Sequence, residues 1–175
     1  MNSYSEEHED GLSGEFQDNL GLLRQIEFFS GLPIDTVKVF TYLCSREVYK
    51  QGDYIFSQDD DDGQAVHILS GTATLMREEA ENRFVIRSYE AGAFLGALSL
   101  LGPMRRLFSL QAETDVICLV LTRVKFLKAM EQFPELWPRV ASATVGSIRL
   151  WEERFFEHHA KHDEACVRRV GISLL

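Results

Sequence analysis

A mainly β fold, a sandwich or jelly roll flanked by helices, is what three features of the sequence predict. Between Glu47 and Leu121 the apolar residues fall in short runs rich in β-branched and aromatic side chains. Gly52, Gly63 and Gly71 punctuate these runs, as turns between short strands require. Helical periodicity is confined to the two ends of the chain, and no repeat of fixed period is visible.

The elements follow in order. Residues 1–14 are polar and acidic, with Glu6, Glu7, Glu9 and Asp10 close together, and read as a disordered tail or a docking segment for a basic partner. Phe16, Leu20, Leu23 and Ile26 or Phe28 mark a first amphipathic helix. Ser30 to Pro33 breaks it, and Pro33 opens a second helix with Ile34, Val37, Phe40, Tyr42 and Leu43 on its apolar side. These helices are expected to pack on the open end of the sheet. The predicted strands then run through Val48, Tyr54 to Phe56, Val66 to Leu69, Thr72 to Met76, Arg83 to Tyr89, Leu107 to Ala112 and Val116 to Leu121. His67, between Val66 and Ile68, alternates away from them and reads as a strand-surface histidine. Thr122 suits the N-cap of a helix over Lys125 to Gln132. After Pro134 and Pro138 a last helix is expected to reach about Val170. The units are therefore a tail over 1–14, a core domain over 15–133 and a C-terminal helix with a short tail over 134–175.

Composition excludes several classes of function. A chain of 175 residues that is 45% hydrophobic can bury one ordinary core. No apolar run approaches a membrane span, so no membrane partner is expected. A net charge of −9 opposes general polyanion binding. Cys44, Cys118 and Cys166 are odd in number and widely spaced, which suits free thiols in a reducing cytoplasm. Asp59 to Asp62 fails the EF-hand pattern, because the twelfth position is Leu69 rather than glutamate, and is read as a solvated hairpin tip. No metal, cofactor or catalytic constellation is expected; G-x-S-x-G and H-E-x-x-H are both absent.

Phe94 to Ser109, FLGALSLLGPMRRLFS, carries the clearest chemistry. Gly96 lets the backbone approach an anion. The short turn Ala97-Leu98-Ser99-Leu100-Leu101 presents free N–H groups, though it is too brief for an independent helix. Arg105 and Arg106 follow Gly102-Pro103 and supply donor forks matched to phosphate oxygens. Ser99 and Ser109 add hydroxyls.

This stretch resembles the phosphate-binding cassette of the cyclic-nucleotide-binding domain family, F-G-E-[LI]-A-L-L followed by P-R-x-A-[TS]. Phe29-Ser30-Gly31-Leu32-Pro33, Lys50 to Phe56 and Ile68-Leu69-Ser70-Gly71 resemble further family segments in the expected order, and the likeness covers roughly Gln25 to Pro138. It implies a double-stranded β-helix jelly roll. It also implies that a ligand's phosphate would meet Arg106 and the N–H groups around Gly96, Ala97, Leu98 and Ser99, with Arg105 and Ser109 nearby. The sequence departs from the pattern where the family's ribose-gripping glutamate falls at Ala97, where Arg105 replaces the proline, and at Leu107. Losing one charge-assisted hydrogen bond of about 1.5–3 kcal/mol weakens binding roughly ten- to a hundredfold. On this reading Ala97→Glu restores the missing grip, and Arg106→Ala abolishes any binding while the fold survives.

Trp137, Ala141, Thr144, Ile148, Trp151 and Phe155 alternate spacings of four and three, a heptad seam that His158 and His162 continue. The equivalent family helix commonly forms a dimer axis, so the resemblance implies a homodimer; Trp151 and Phe155 packed on their own barrel is the other reading. Stacked histidines at the seam would weaken such a dimer below about pH 6. The eight residues from Arg168 are too few for a winged helix-turn-helix, so direct DNA binding is not expected. The expected function is a non-catalytic, cytoplasmic regulatory module. Its cyclic-nucleotide binding is lost or altered, and it acts on an unidentified protein partner as a homodimer. The alternative is a receptor that uses Arg106 for a cyclic nucleotide or a cyclic dinucleotide.

Overall fold

Short strands separated by turn glycines here build two four-stranded antiparallel sheets, mostly by pairing segments far apart in the chain. The computed structural model describes residues 3–79 and 82–159. Its strands are β1 (Ser45–Tyr49), β2 (Tyr54–Phe56), β3 (Gln64–Ser70), β4 (Ala73–Glu79), β5 (Asn82–Tyr89), β6 (Phe94–Leu95), β7 (Ser109–Ala112) and β8 (Val116–Thr122). One sheet runs β1-β8-β3-β6 and the other β2-β7-β4-β5. Gly71, with φ of 87°, turns the chain from β3 to β4; a Cβ there would stand 2.3 Å from the Asp115 carbonyl, so only glycine fits.

The first sheet is covered on both faces. Val66, Ile68, Val116, Cys118 and Val120 face the second sheet and meet Ile55, Phe56 and Leu110. Ala65, Leu119 and Leu121 face a helical layer built around Leu23, Phe28, Phe29, Phe40, Phe126 and Met130. That layer comprises α1 (Ser3–Gln25), α2 (Glu27–Ser30), α3 (Ile34–Leu43), α5 (Arg123–Gln132) and α6 (Trp137–His159), with a 3-10 turn over Pro134–Leu136. Stacked rings join its parts: Phe40 and Phe126 lie 5.4 Å apart at 19°. The helices thus cover a face of the sheet rather than its open end.

Local chemistry sets several boundaries. The Thr122 hydroxyl accepts the Lys125 N–H, the cap that the sequence predicts for α5. The first helix divides at Ile26, whose extended backbone separates α1 from α2. α1 begins at Ser3, so residues 3–14 are helical where the sequence reading expects a disordered tail. The segment runs on without a break into the part of the helix anchored by buried Leu20 and Leu23. The strand expected from Leu107 starts at Ser109, and Leu107 is exposed. The expected end of the last helix near Val170 lies outside the described residues, as do Cys166 and His162.

Cys44 and Cys118 are free thiols, and burial pushes the pKa of each up to about 12. Both stay protonated and serve as small apolar groups. Among the described residues no helix is long and apolar enough to cross a membrane.

Candidate functional site

Between β6 and β7 the chain makes α4 (Ala97–Leu101), a single helical turn that tertiary contact with β3 and α5 supports. Gly96 precedes it in the left-handed region at φ 86°. A Cβ there would stand 2.6 Å from the Gln64 carbonyl and 2.7 Å from Arg106 Nη1. Gly96 therefore admits an arginine close against the backbone, the approach that the sequence predicts for an anion. Gly96→Ala should cost more than the about 1–2 kcal/mol of left-handed strain alone, because the Gln64 carbonyl is backbone and cannot swing aside. A urea unfolding midpoint unchanged in that variant would contradict this geometry.

Arg106 is only 5% exposed. Its Nε and Nη2 donate to the Asp62 carboxylate at 3.1 and 2.7 Å, and Nη2 also donates to the Gln64 carbonyl at 2.5 Å. The guanidinium stands over the Phe56 ring, 4.2 Å from its centroid. Two backbone bonds lock the surrounding loops: Asp59 N–H to Arg106 O and Arg106 N–H to Asp60 O, both 2.9 Å. Beside this pair Arg123 donates to both oxygens of Asp61 and, through Nε, to the Ser99 carbonyl at 2.6 Å. Its hydrogen bonds hold the Asp61 carboxyl below the usual carboxylate range.

Asp59, Asp60 and Asp61 are exposed, as a solvated tip requires, and Asp62 departs from that reading by turning half-buried toward Arg106. Asp61 is paired at the surface with Arg123, and half-buried Asp62 takes the Nε and Nη2 edge of the Arg106 guanidinium. The fork geometry of an arginine fits carboxylate and phosphate alike, so the chain supplies its own anion.

Gly96, Ala97, Leu98, Arg105 and Arg106 line a cleft of about 1000 Å³ between α4, the strands and the helices α1, α2 and α6. Arg105 is exposed at this cleft and forms no ion pair among the described residues. Ser99 and Ser109 are not in its wall. The Ser99 N–H is spent on the Gly96 carbonyl at 2.9 Å, and the Ser109 hydroxyl accepts the Gln58 N–H at 2.9 Å.

His67 is the residue that alternation alone misplaced. It does face away from Val66 and Ile68, but that side lies under the helical layer, and it is only 5% exposed. It sits opposite Phe94 on β6 and Leu119 on β8 and lines the cleft. Neither ring nitrogen has a hydrogen-bond partner. The Ala93 carbonyl, which accepts the Ile68 N–H at 2.9 Å and has a second lone pair, is a polar neighbour of the ring. Burial lowers the His67 pKa from 6.5, with the Ala93 backbone opposing. Below about pH 6.5 the unfolded chain therefore takes up a proton that the folded ring resists, and stability falls as pH drops from there toward the folded value. His67→Leu should remove that part of the loss between pH 7.5 and 5.5, read from urea unfolding at both; an identical loss in both proteins would refute it.

On α6, Trp137 and Trp151 are 40% and 54% exposed, and Ala141 is exposed. Thr144 and Ile148 are half-buried, and the Thr144 hydroxyl bonds its own helix at the Val140 carbonyl. Val140 is the buried anchor, Trp137 packs edge-on against Phe126, and Arg139 donates to the Gly31 carbonyl. Part of the expected seam therefore packs on its own chain and part faces outward. The side chains of Phe155 and His158 lie outside the described residues. Among the described residues no group of three His, Cys, Asp or Glu could hold a metal.

The family model for the cyclic nucleotide-binding domain matches residues 46–133. No curated protein matches the chain. Among solved structures, a cyclic nucleotide-binding-like protein from Brucella abortus is 25% identical, with TM-score 0.60, covering 65% of this chain and 98% of that one. The catabolite activator protein of Thermus thermophilus is 26% identical, with TM-score 0.61, covering 75% of this chain and 61% of that one. The regulatory subunit of a cAMP-independent protein kinase A from Trypanosoma cruzi, bound to guanosine, shares the fold at 20% identity and TM-score 0.59, covering 70% of this chain and 44% of that one.

Proposed function

This chain belongs to the cyclic nucleotide-binding domain family, and from that premise we propose a non-catalytic regulatory module whose cassette is closed to cyclic nucleotides and whose output is protein contact as a homodimer. The observation that carries the reading is the Asp62–Arg106 pair. A phosphate seeking the Nε and Nη2 fork of Arg106 must break two charge-assisted bonds and then share the site with the displaced carboxylate, a like charge. Asp62 is also covalently tethered, so a free ligand competes with an intramolecular one at an effective concentration of roughly millimolar or more. Ala97 offers no carboxylate for a ribose. The fold neighbour described as cAMP-independent is consistent with this scaffold working without cyclic AMP. The outward tryptophans of α6 supply the contact surface.

The test is calorimetric titration with cyclic AMP and cyclic GMP, paired with sedimentation of wild type and Trp151→Glu. The expected outcome is no binding in the micromolar range, a dimeric wild type and a monomeric variant. Micromolar cyclic-nucleotide binding would instead establish the receptor reading, and a monomeric wild type would remove the dimer.

A further inference from the structure

We propose that the cleft is a receptor site for a neutral ring compound carrying a hydroxyl, held by its apolar walls and anchored on His67. The inference rests on the closed cassette proposed above and assigns the space that the cassette no longer uses. Three observations converge on it.

The first is size and lining. A cleft of about 1000 Å³ is at the upper end of what small-molecule sites occupy. Ile26, Phe28, Phe56, Leu75, Phe94 and Leu95 form much of its wall. Phe28 and Phe94 stand 6.1 Å apart at 37° and pack on each other, which gives this wall an aromatic lining.

The second is charge. Arg106 is neutralised by Asp62, and the other charged lining residues, Glu27, Arg105 and Arg154, are exposed. The cation left for an anion is Arg105, at an exposed position where water screens its charge, so the buried wall itself favours a neutral guest.

The third is His67, nearly fully buried in the wall of this cleft, with no geometric hydrogen bond at either ring nitrogen and the Ala93 backbone as its polar neighbour, which can serve one nitrogen at most. Buried polar groups in folded proteins are almost always satisfied, so an imidazole nitrogen left over at a cleft marks a missing partner. A neutral imidazole carries one donor and one acceptor nitrogen. A hydroxyl can serve either, which makes an aromatic alcohol a better match than a pure hydrocarbon or a carboxylate.

The probe is 2-naphthol, titrated into the full chain and followed by its fluorescence and by the imidazole nitrogen resonances of the protein. Naphthalene, 2-naphthoate and cyclic AMP are the comparators. The expected result is saturable binding of 2-naphthol, a shift of the His67 resonances, and weaker binding of both naphthalene and 2-naphthoate. His67→Phe should weaken 2-naphthol roughly two- to tenfold, the loss of one hydrogen bond. Should that variant fail to fold, the wild-type resonances decide alone. Non-saturable uptake, or saturation with the His67 resonances unmoved, overturns the proposal and leaves a water as the partner of His67. Silence from both 2-naphthol and cyclic AMP overturns this inference only. Binding of cyclic AMP without 2-naphthol overturns the closed cassette as well.

Discussion

Arg106→Ala is expected to lower the unfolding free energy by about 3 kcal/mol, the low end of what breaking a buried ion pair costs. The low end applies because the Asp62 side chain keeps 18% of its surface in solvent and can rehydrate in part. The substitution also strips the Gln64 carbonyl of its donor and Phe56 of its stacked cation. Residues 57–63 then lose their principal side-chain anchor. Arg106→Lys should recover part of the loss, since an ammonium keeps the charge but not the paired fork. Urea unfolding is the measurement. A variant within about 1 kcal/mol of wild type, the range of an ordinary surface ion pair, would show the pair to be ornamental. The result matters for function because the sequence reading expects this substitution to spare the fold and abolish a ligand. With Arg106 turned to Asp62, the larger effect falls on stability.

The second large effect is a gain. Asp62→Ser combined with Ala97→Glu is expected to bind cyclic AMP about 10²- to 10⁴-fold more tightly than wild type. Two charge-assisted bonds, one to phosphate and one to ribose, are each about 1.5–3 kcal/mol. Ala97→Glu alone should gain nothing measurable, because it leaves Arg106 occupied. Here the structure alters the sequence expectation, in which the single substitution suffices. The double variant should melt lower than wild type and be raised by cyclic AMP, since a ligand that binds only the folded state stabilises it. Calorimetry and a thermal melt with and without nucleotide read both. If the single Ala97→Glu variant binds as well as the double one, Asp62 is not the gate.

Legibility varied with the range of the interaction. The strand segments, the Thr122 cap and the helices before the sheet follow from residue type and local spacing, and their residues announce them, although most strand pairings join segments far apart in the chain. Asp62 and Arg106 are 44 residues apart, and nothing local distinguishes their pairing from a solvated acidic turn and a free arginine. His67 obeyed its alternation, yet alternation does not say whether the other face of a sheet meets water or helices. α6 mixes inward and outward positions along one heptad row, because a single helix both anchors on Val140 and leaves Trp151 outside.

By itself, then, the sequence determined the jelly-roll class, the place of the short turn after Gly96 and the absence of a carboxylate at Ala97. These follow from residue type, spacing and turn chemistry, all of which are local. Only the tertiary structure decided that Arg106 is paired with Asp62, that Arg123 holds Asp61, and that His67 sits buried in a cleft wall. Those are matters of which groups far apart in the chain are brought within hydrogen-bond reach, and of which faces are withheld from water.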